Sequence, residues 1–83
     1  MSATVIPFPL CKRRGLVMRQ ARRALELCPQ KAEKHLGVQI QVQREALLRR
    51  GVDAGTVERQ VREFEAAIRA EMWRQTFSGG GAA

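Results

Sequence analysis

The clearest pattern along the chain is a run of apolar residues near its C-terminal end. Val57, Val61, Phe64, Ile68 and Met72 recur at spacings of 4, 3, 4 and 4, which lays one stripe along a 3.6-residue helix. Asp53 stands where an N-cap carboxylate would meet the unpaired N–H groups of the first turn, so a helix is predicted over 53–77. Glu58–Arg62 and Glu65–Arg69 fall at i,i+4 on the other side, the spacing of a solvated, ion-paired face. Trp73 and Phe77 lie off the stripe near the helix end. The Ser78-Gly79-Gly80-Gly81-Ala82-Ala83 segment is predicted to be a disordered tail.

Pro29 suits a first helical position, where its missing N–H costs nothing, and a second helix is predicted over 29–50. Leu36, Ile40 and Leu47 form one stripe while Val38, Val42 and Ala46 form another, as expected of a middle helix with two neighbours. Gly51 is placed to take a left-handed cap, and Val52 to make the apolar contact that follows such a cap. These two helices, nearly equal in length and joined by a tight turn, should form an antiparallel hairpin. A shorter helix is predicted over 12–27. Val17, Met18, Ala21, Ala24, Leu25 and Cys28 share its apolar stripe, and Leu16 and Leu27 break it. Pro7 and Pro9 keep the first ten residues extended, leaving Val5, Ile6, Phe8 and Leu10 as an apolar arm. The arm either packs over a thin core or enters a partner's groove. The expected architecture is all-α, with three helices in one domain over 1–77.

Charge changes the picture most at the N-terminal end. Through Cys28 there are six basic residues and one acid, within a formal net charge of +7 for 83 residues. From Val52 onward acids exceed bases by one. Lys12, Arg19 and Arg23 fall on the polar side of the first helix, with Arg13 and Arg22 flanking them and Arg14 widening the footprint. A basic ridge of this kind is either a solubilising face or a docking surface for something anionic. A chain this short has little core, and such chains are commonly completed by a staple, a metal or a second subunit. The cysteines, Cys11 and Cys28, have neither the number of a disulfide framework nor the spacing of a zinc site. The apolar N-terminal run precedes its basic residues, the reverse of a signal peptide, and no run of about 20 apolar residues is present. A cytoplasmic location without membrane insertion is expected.

No catalytic constellation is legible. His35 is the one histidine, hydroxyl residues are few, and the triple glycine follows no strand. A non-enzymatic protein without cofactor or metal is expected. The favoured reading is a regulatory or accessory protein contacting nucleic acid, through its phosphates, with Lys12, Arg13, Arg19, Arg22 and Arg23. Stacking platforms for single strands are missing. A helix-turn-helix around Leu27-Cys28-Pro29-Gln30 is disfavoured by a turn without glycine. The alternative is an adaptor or inhibitor, self-associating or gripping an acidic protein, that uses Ile6 and Phe8 of the arm, the second helix, and Trp73 with Phe77.

Five stretches carry a resemblance: Val5-Ile6-Pro7-Phe8-Pro9-Leu10 with the basic residues after it, Lys31-Ala32-Glu33-Lys34-His35-Leu36, Arg44-Glu45, Arg50-Gly51-Val52 and Ala70-Glu71-Met72-Trp73-Arg74. Over about 5–74 the chain resembles a family of very small uncharacterised proteins of rhizobial-type alpha-proteobacteria. The resemblance implies a bacterial cytosolic origin and a helical fold. It implies no activity and no functional residues.

Overall fold

A computed structural model of the protein describes residues 8–80. Within them the chain forms a short 3₁₀ turn, Leu10–Lys12, and three α-helices: α1, Arg14–Leu25; α2, Pro29–Arg49; and α3, Ala54–Gly80. No strand occurs among the described residues. This is the expected all-α, three-helix arrangement with a long helical hairpin.

The hairpin turn is built by the residues the sequence singled out. Gly51 takes φ 87°, its N–H donates to the Leu48 carbonyl at 3.0 Å, and the Val52 N–H donates to Leu47 at 3.1 Å. These are the two bonds of a Schellman motif, and they satisfy carbonyls that the end of α2 would otherwise leave open. Leu47 and Val52 are both buried in the core. A Cβ at position 51 meets its own backbone at this φ, so Gly51→Ala is expected to lower stability by about 1 kcal/mol, measured by urea denaturation.

Asp53 caps α3 from both carboxylate oxygens. The Thr56 N–H donates to Oδ2 at 2.9 Å and the Thr56 hydroxyl to Oδ1 at 2.7 Å. The hydroxyl and then the amide hold the Asp53 carboxyl below its ordinary 3.8. A carboxyl lowered on folding stabilises above its unfolded value and stops doing so as pH falls through its folded value. Asp53→Ala should therefore lower the melting temperature at pH 7, with the gap from the parent protein narrowing below pH 3.8.

The two long helices keep one antiparallel register. Arg44 pairs with Glu58 at 2.8 Å and Arg69 with Glu33 at 2.7 Å, eleven residues apart on each helix. Glu58 thus reaches across the hairpin to α2 instead of pairing with Arg62 on its own helix. The face expected to be merely solvated is clipped to α2, because helix packing brings Arg44 within fork geometry of that carboxylate. Continuing the register places Pro29 opposite Trp73, so the last turns of α3 overrun the start of α2. α3 also continues three residues past the expected end at Phe77, because extending a long helix needs only one further backbone bond per residue. Residues 81–83 of the expected tail, and the arm as far as Pro7, lie outside the described residues.

The first helix departs from expectation at both ends. Lys12 and Arg13 N–H groups donate to Pro9 and Leu10 carbonyls at 3.0 Å, giving a 3₁₀ turn. Arg13, at ψ 81°, breaks it from α1. At the other end Cys28 is forced extended by the proline after it, at φ −64° and ψ 157°, so α1 stops at Leu25.

The core joins Leu10, Val17, Ala21 and Ala24 to Ala32, Leu36 and Leu47 and to Val52, Val57, Val61, Phe64 and Ile68. Two assignments to the α1 stripe are corrected: Leu25 and Cys28 are exposed, while Leu16 and Leu27 pack against the core. Beyond Leu25 the helical phase no longer holds, which turns Leu27 inward. Leu16 flanks the buried line through Val17, Ala21 and Ala24. The second α2 stripe is also corrected, since Val38 and Val42 are about half exposed. Helical phase sets them opposite Leu36, beyond the reach of α1 and α3.

Two buried polar groups bind the N-terminal elements to α3. Gln60, 5 % exposed, accepts the Leu10 N–H at 3.0 Å. Glu71, 4 % exposed, accepts from Arg74 and from Gln75 at 3.0 Å, and lies 3.8 Å from Arg14. Arg14, first read as part of the basic footprint, is in this way turned toward α3.

Candidate functional site

Lys12, Arg13, Arg19, Arg22 and Arg23 are all exposed. The cause is local. Val17, Ala21 and Ala24 fix which side of α1 is buried, and Arg19 and Arg22 fall away from that line by helical phase. Arg19 lies over the bare Gly15 position, with a guanidinium nitrogen 4.0 Å from where a Cβ would stand. Lys12 belongs to the 3₁₀ turn and Arg13 to the break after it, so the basic surface spans two elements and is not a ridge on α1 alone. Arg23 is partly spent: its guanidinium meets Glu26 at 3.2 Å.

The other four have no carboxylate within ion-pair distance among the described residues, whereas Arg14, Arg44, Arg69 and Arg74 each do. No acid occurs anywhere between Lys12 and Leu25. That separates this surface from the hairpin end, where Arg49, Arg50, Arg59 and Arg62 are interspersed with Glu45, Asp53, Glu58 and Glu63. The imidazole Nε2 of His35 lies 2.8 Å from Gln20 Oε1, a bond that ties α1 to α2. Lys31 and Lys34, near the start of α2, are both exposed.

The residues expected at a protein interface are not gathered in one place. Ile6 lies outside the described residues. Phe8 is 66 % exposed and is not among the residues that line the groove of Trp73 and Phe77. Trp73 and Phe77 pack against each other on successive turns of α3, with ring centroids 4.1 Å apart and planes tilted by 42°. With Leu25, Arg69, Met72 and Thr76 they line an open groove of about 360 Å³. Leu25, Arg69 and Thr76 were not foreseen there. The i,i+4 spacing of Trp73 and Phe77 was the available signal, but the end of α1 that brings Leu25 to them is set by Pro29 and is invisible in a helical wheel.

Among the described residues no group of three or more His, Cys, Asp or Glu side chains is placed to hold a metal ion. No helix among them is long and apolar enough to cross a membrane. Glu33, Glu58 and Glu71 all sit below the ordinary glutamate value of 4.5, each chiefly because an arginine (Arg69, Arg44 and Arg74 respectively) donates to it. They are held as structural anions.

Fold and surface together define a small three-helix protein with a cationic N-terminal face and an apolar groove at the far end of its longest helix. Over residues 1–83 the chain matches the model of a family described as a family of unknown function, DUF6074, and it belongs to that family. No curated protein and no solved structure matches it significantly.

Proposed function

We propose that the protein is a non-enzymatic regulatory or accessory module that docks on nucleic acid through the phosphate backbone. The single observation that supports this is the acid-free surface formed by Lys12, Arg13, Arg19 and Arg22. A phosphate displaces only water and counterions from these side chains, whereas at Arg69 or Arg44 it would compete with carboxylates already in place. Arg is apt for the task because its planar fork meets two phosphate oxygens at once. Gln20 is the one side chain there suited to adenine, and its Oε1 is already engaged by His35 at 2.8 Å, so the reading is one of position more than of sequence choice. Placement in rhizobial-type bacteria, and in their cytoplasm, belongs to the same reading and is supported by the resemblance of the Val5–Leu10 segment.

The test is fluorescence anisotropy with a labelled random-sequence 20-base-pair duplex at 50 mM salt. Saturable binding, competed equally by unrelated duplexes, is the expected result. No binding at that salt overturns the reading. A second reading, an adaptor for an acidic protein, draws on the exposed Phe8, Val38, Val42, Trp73 and Phe77. Capture of partners from a bacterial lysate that survives nuclease digestion would favour it.

A further inference from the structure

The groove beside Trp73 and Phe77 is an open, mostly apolar recess outside the core. Trp73 is 67 % exposed, Phe77 57 % and Leu25 41 %. All three sit at the end of the molecule where α3 overruns α2, and among the described residues no further element covers them. We propose that this face is a two-fold interface at which a second copy of the chain docks, each copy's aromatic pair filling the other's groove.

Shape is the first argument. One face carries both a recess of about 360 Å³ and the projecting rings beside it. A two-fold axis requires this kind of self-complementarity, because the same patch must serve as knob and as hole. Charge is the second. The lining holds one charged group, Arg69, which Glu33 and Glu65 already clasp at 2.7 and 2.8 Å, and no charged residue follows Arg74 in the chain. A chain of net charge +7 can meet its own copy most cheaply where its charges are already compensated.

Area sets the strength. Aromatic side chains bury ~150–250 Å² each when covered, so at these exposures the patch offers roughly 300–400 Å² of apolar surface per copy. With the rim added, the total approaches the lower bound of about 1,000 Å² for a specific interface. The dimer is therefore weak, dissociating in the micromolar range and not the nanomolar. This inference does not rest on the nucleic-acid reading, and salt separates the two. Screening weakens phosphate binding but relieves repulsion between two like-charged copies, so self-association tightens as salt rises.

The chain has one tryptophan, which makes Trp73 emission a direct reporter. Sedimentation equilibrium and tryptophan emission are measured on nuclease-treated protein from about 1 to 500 μM, at 0.1 and 0.5 M salt. Expected are a monomer–dimer equilibrium, a shift of emission to longer wavelength on dilution, and tighter association at the higher salt. Phe77→Asp and Thr76→Arg, both at exposed positions, should each raise the dissociation constant more than tenfold while leaving helicity unchanged. A monomer across the whole range overturns the proposal, as does an oligomer that neither substitution weakens. So does an open-ended ladder of larger species.

Discussion

Replacing Phe64 by Ala is expected to remove about 3–5 kcal/mol of folding stability, the largest single loss available in this chain. Phe64 is the largest of the fully buried side chains. It stands in the middle of the Val57–Met72 stripe, and α1, α2 and the 3₁₀ turn all pack on the helix that carries it. Truncation leaves a cavity that three separately anchored helices cannot all close at once. Small domains hold about 5–15 kcal/mol in total, so the variant should lose most of its cooperative transition in urea, followed by circular dichroism. Phe64→Leu, which keeps most of the volume, should cost less than about 1.5 kcal/mol. Phe77→Ala, at an exposed site on the same helix, should fall within about 0.5 kcal/mol of the parent protein. A loss below 1 kcal/mol for Phe64→Ala would mean that α3 is not the axis of the core.

The second large effect concerns binding and leaves the fold alone. The triple variant Lys12→Glu, Arg19→Glu and Arg22→Gln should weaken duplex binding at 50 mM salt by at least about a hundredfold, since each lost phosphate contact also loses its released counterion. Glutamine is chosen at position 22 because that residue lies in the last turn of α1, where an acid would oppose the helix dipole. None of the three makes an ion pair in the fold. The melting temperature should therefore stay within a few degrees of the parent value. Arg14→Gln separates the two kinds of arginine. It should lower stability by releasing part of the hold on Glu71, and change duplex binding little.

The acid side of the stability profile follows from the same pairs. Glu33, Glu58 and Glu71 are lowered on folding, so each stabilises above pH 4.5 and loses that contribution as pH falls through its folded value. Unfolding free energy should be flat near neutrality and fall below that point.

What the sequence disclosed was local, and what it hid was tertiary. The stripe from Val57 to Met72, the Gly51 cap and the Asp53 cap rest on backbone rules that act within one or two turns, and each appears where it was read. The end of α1 was misread by two residues even though the extended bias before Pro29 is itself a local rule. That error carried Leu25 and Cys28 into the core and left Leu27 out of it. The pairing of Glu58 with Arg44 instead of Arg62 depends on the hairpin register, which no single-helix wheel contains. The exposure of Val38 and Val42 has the same origin, because two stripes predict two neighbours without saying that both stand on one side. At the candidate surface, exposure of Arg19 and Arg22 followed from the apolar positions of α1, whereas Lys12 and Arg13 are exposed from the 3₁₀ turn and the break after it, which a helical wheel does not contain. The loss of Arg14 to Glu71 and of Arg23 to Glu26 did not.

Lys12, Arg13, Arg19 and Arg22 are claimed by no carboxylate among the described residues, and duplex binding is proposed to depend on them. The most direct measurement is duplex affinity as a function of salt. With four phosphate contacts, log K plotted against log salt should be linear with a slope of about −3 to −4, an affinity loss of roughly a hundredfold between 50 and 200 mM. A slope near zero, or a steep slope retained in full by the Lys12, Arg19 and Arg22 triple variant, would contradict it.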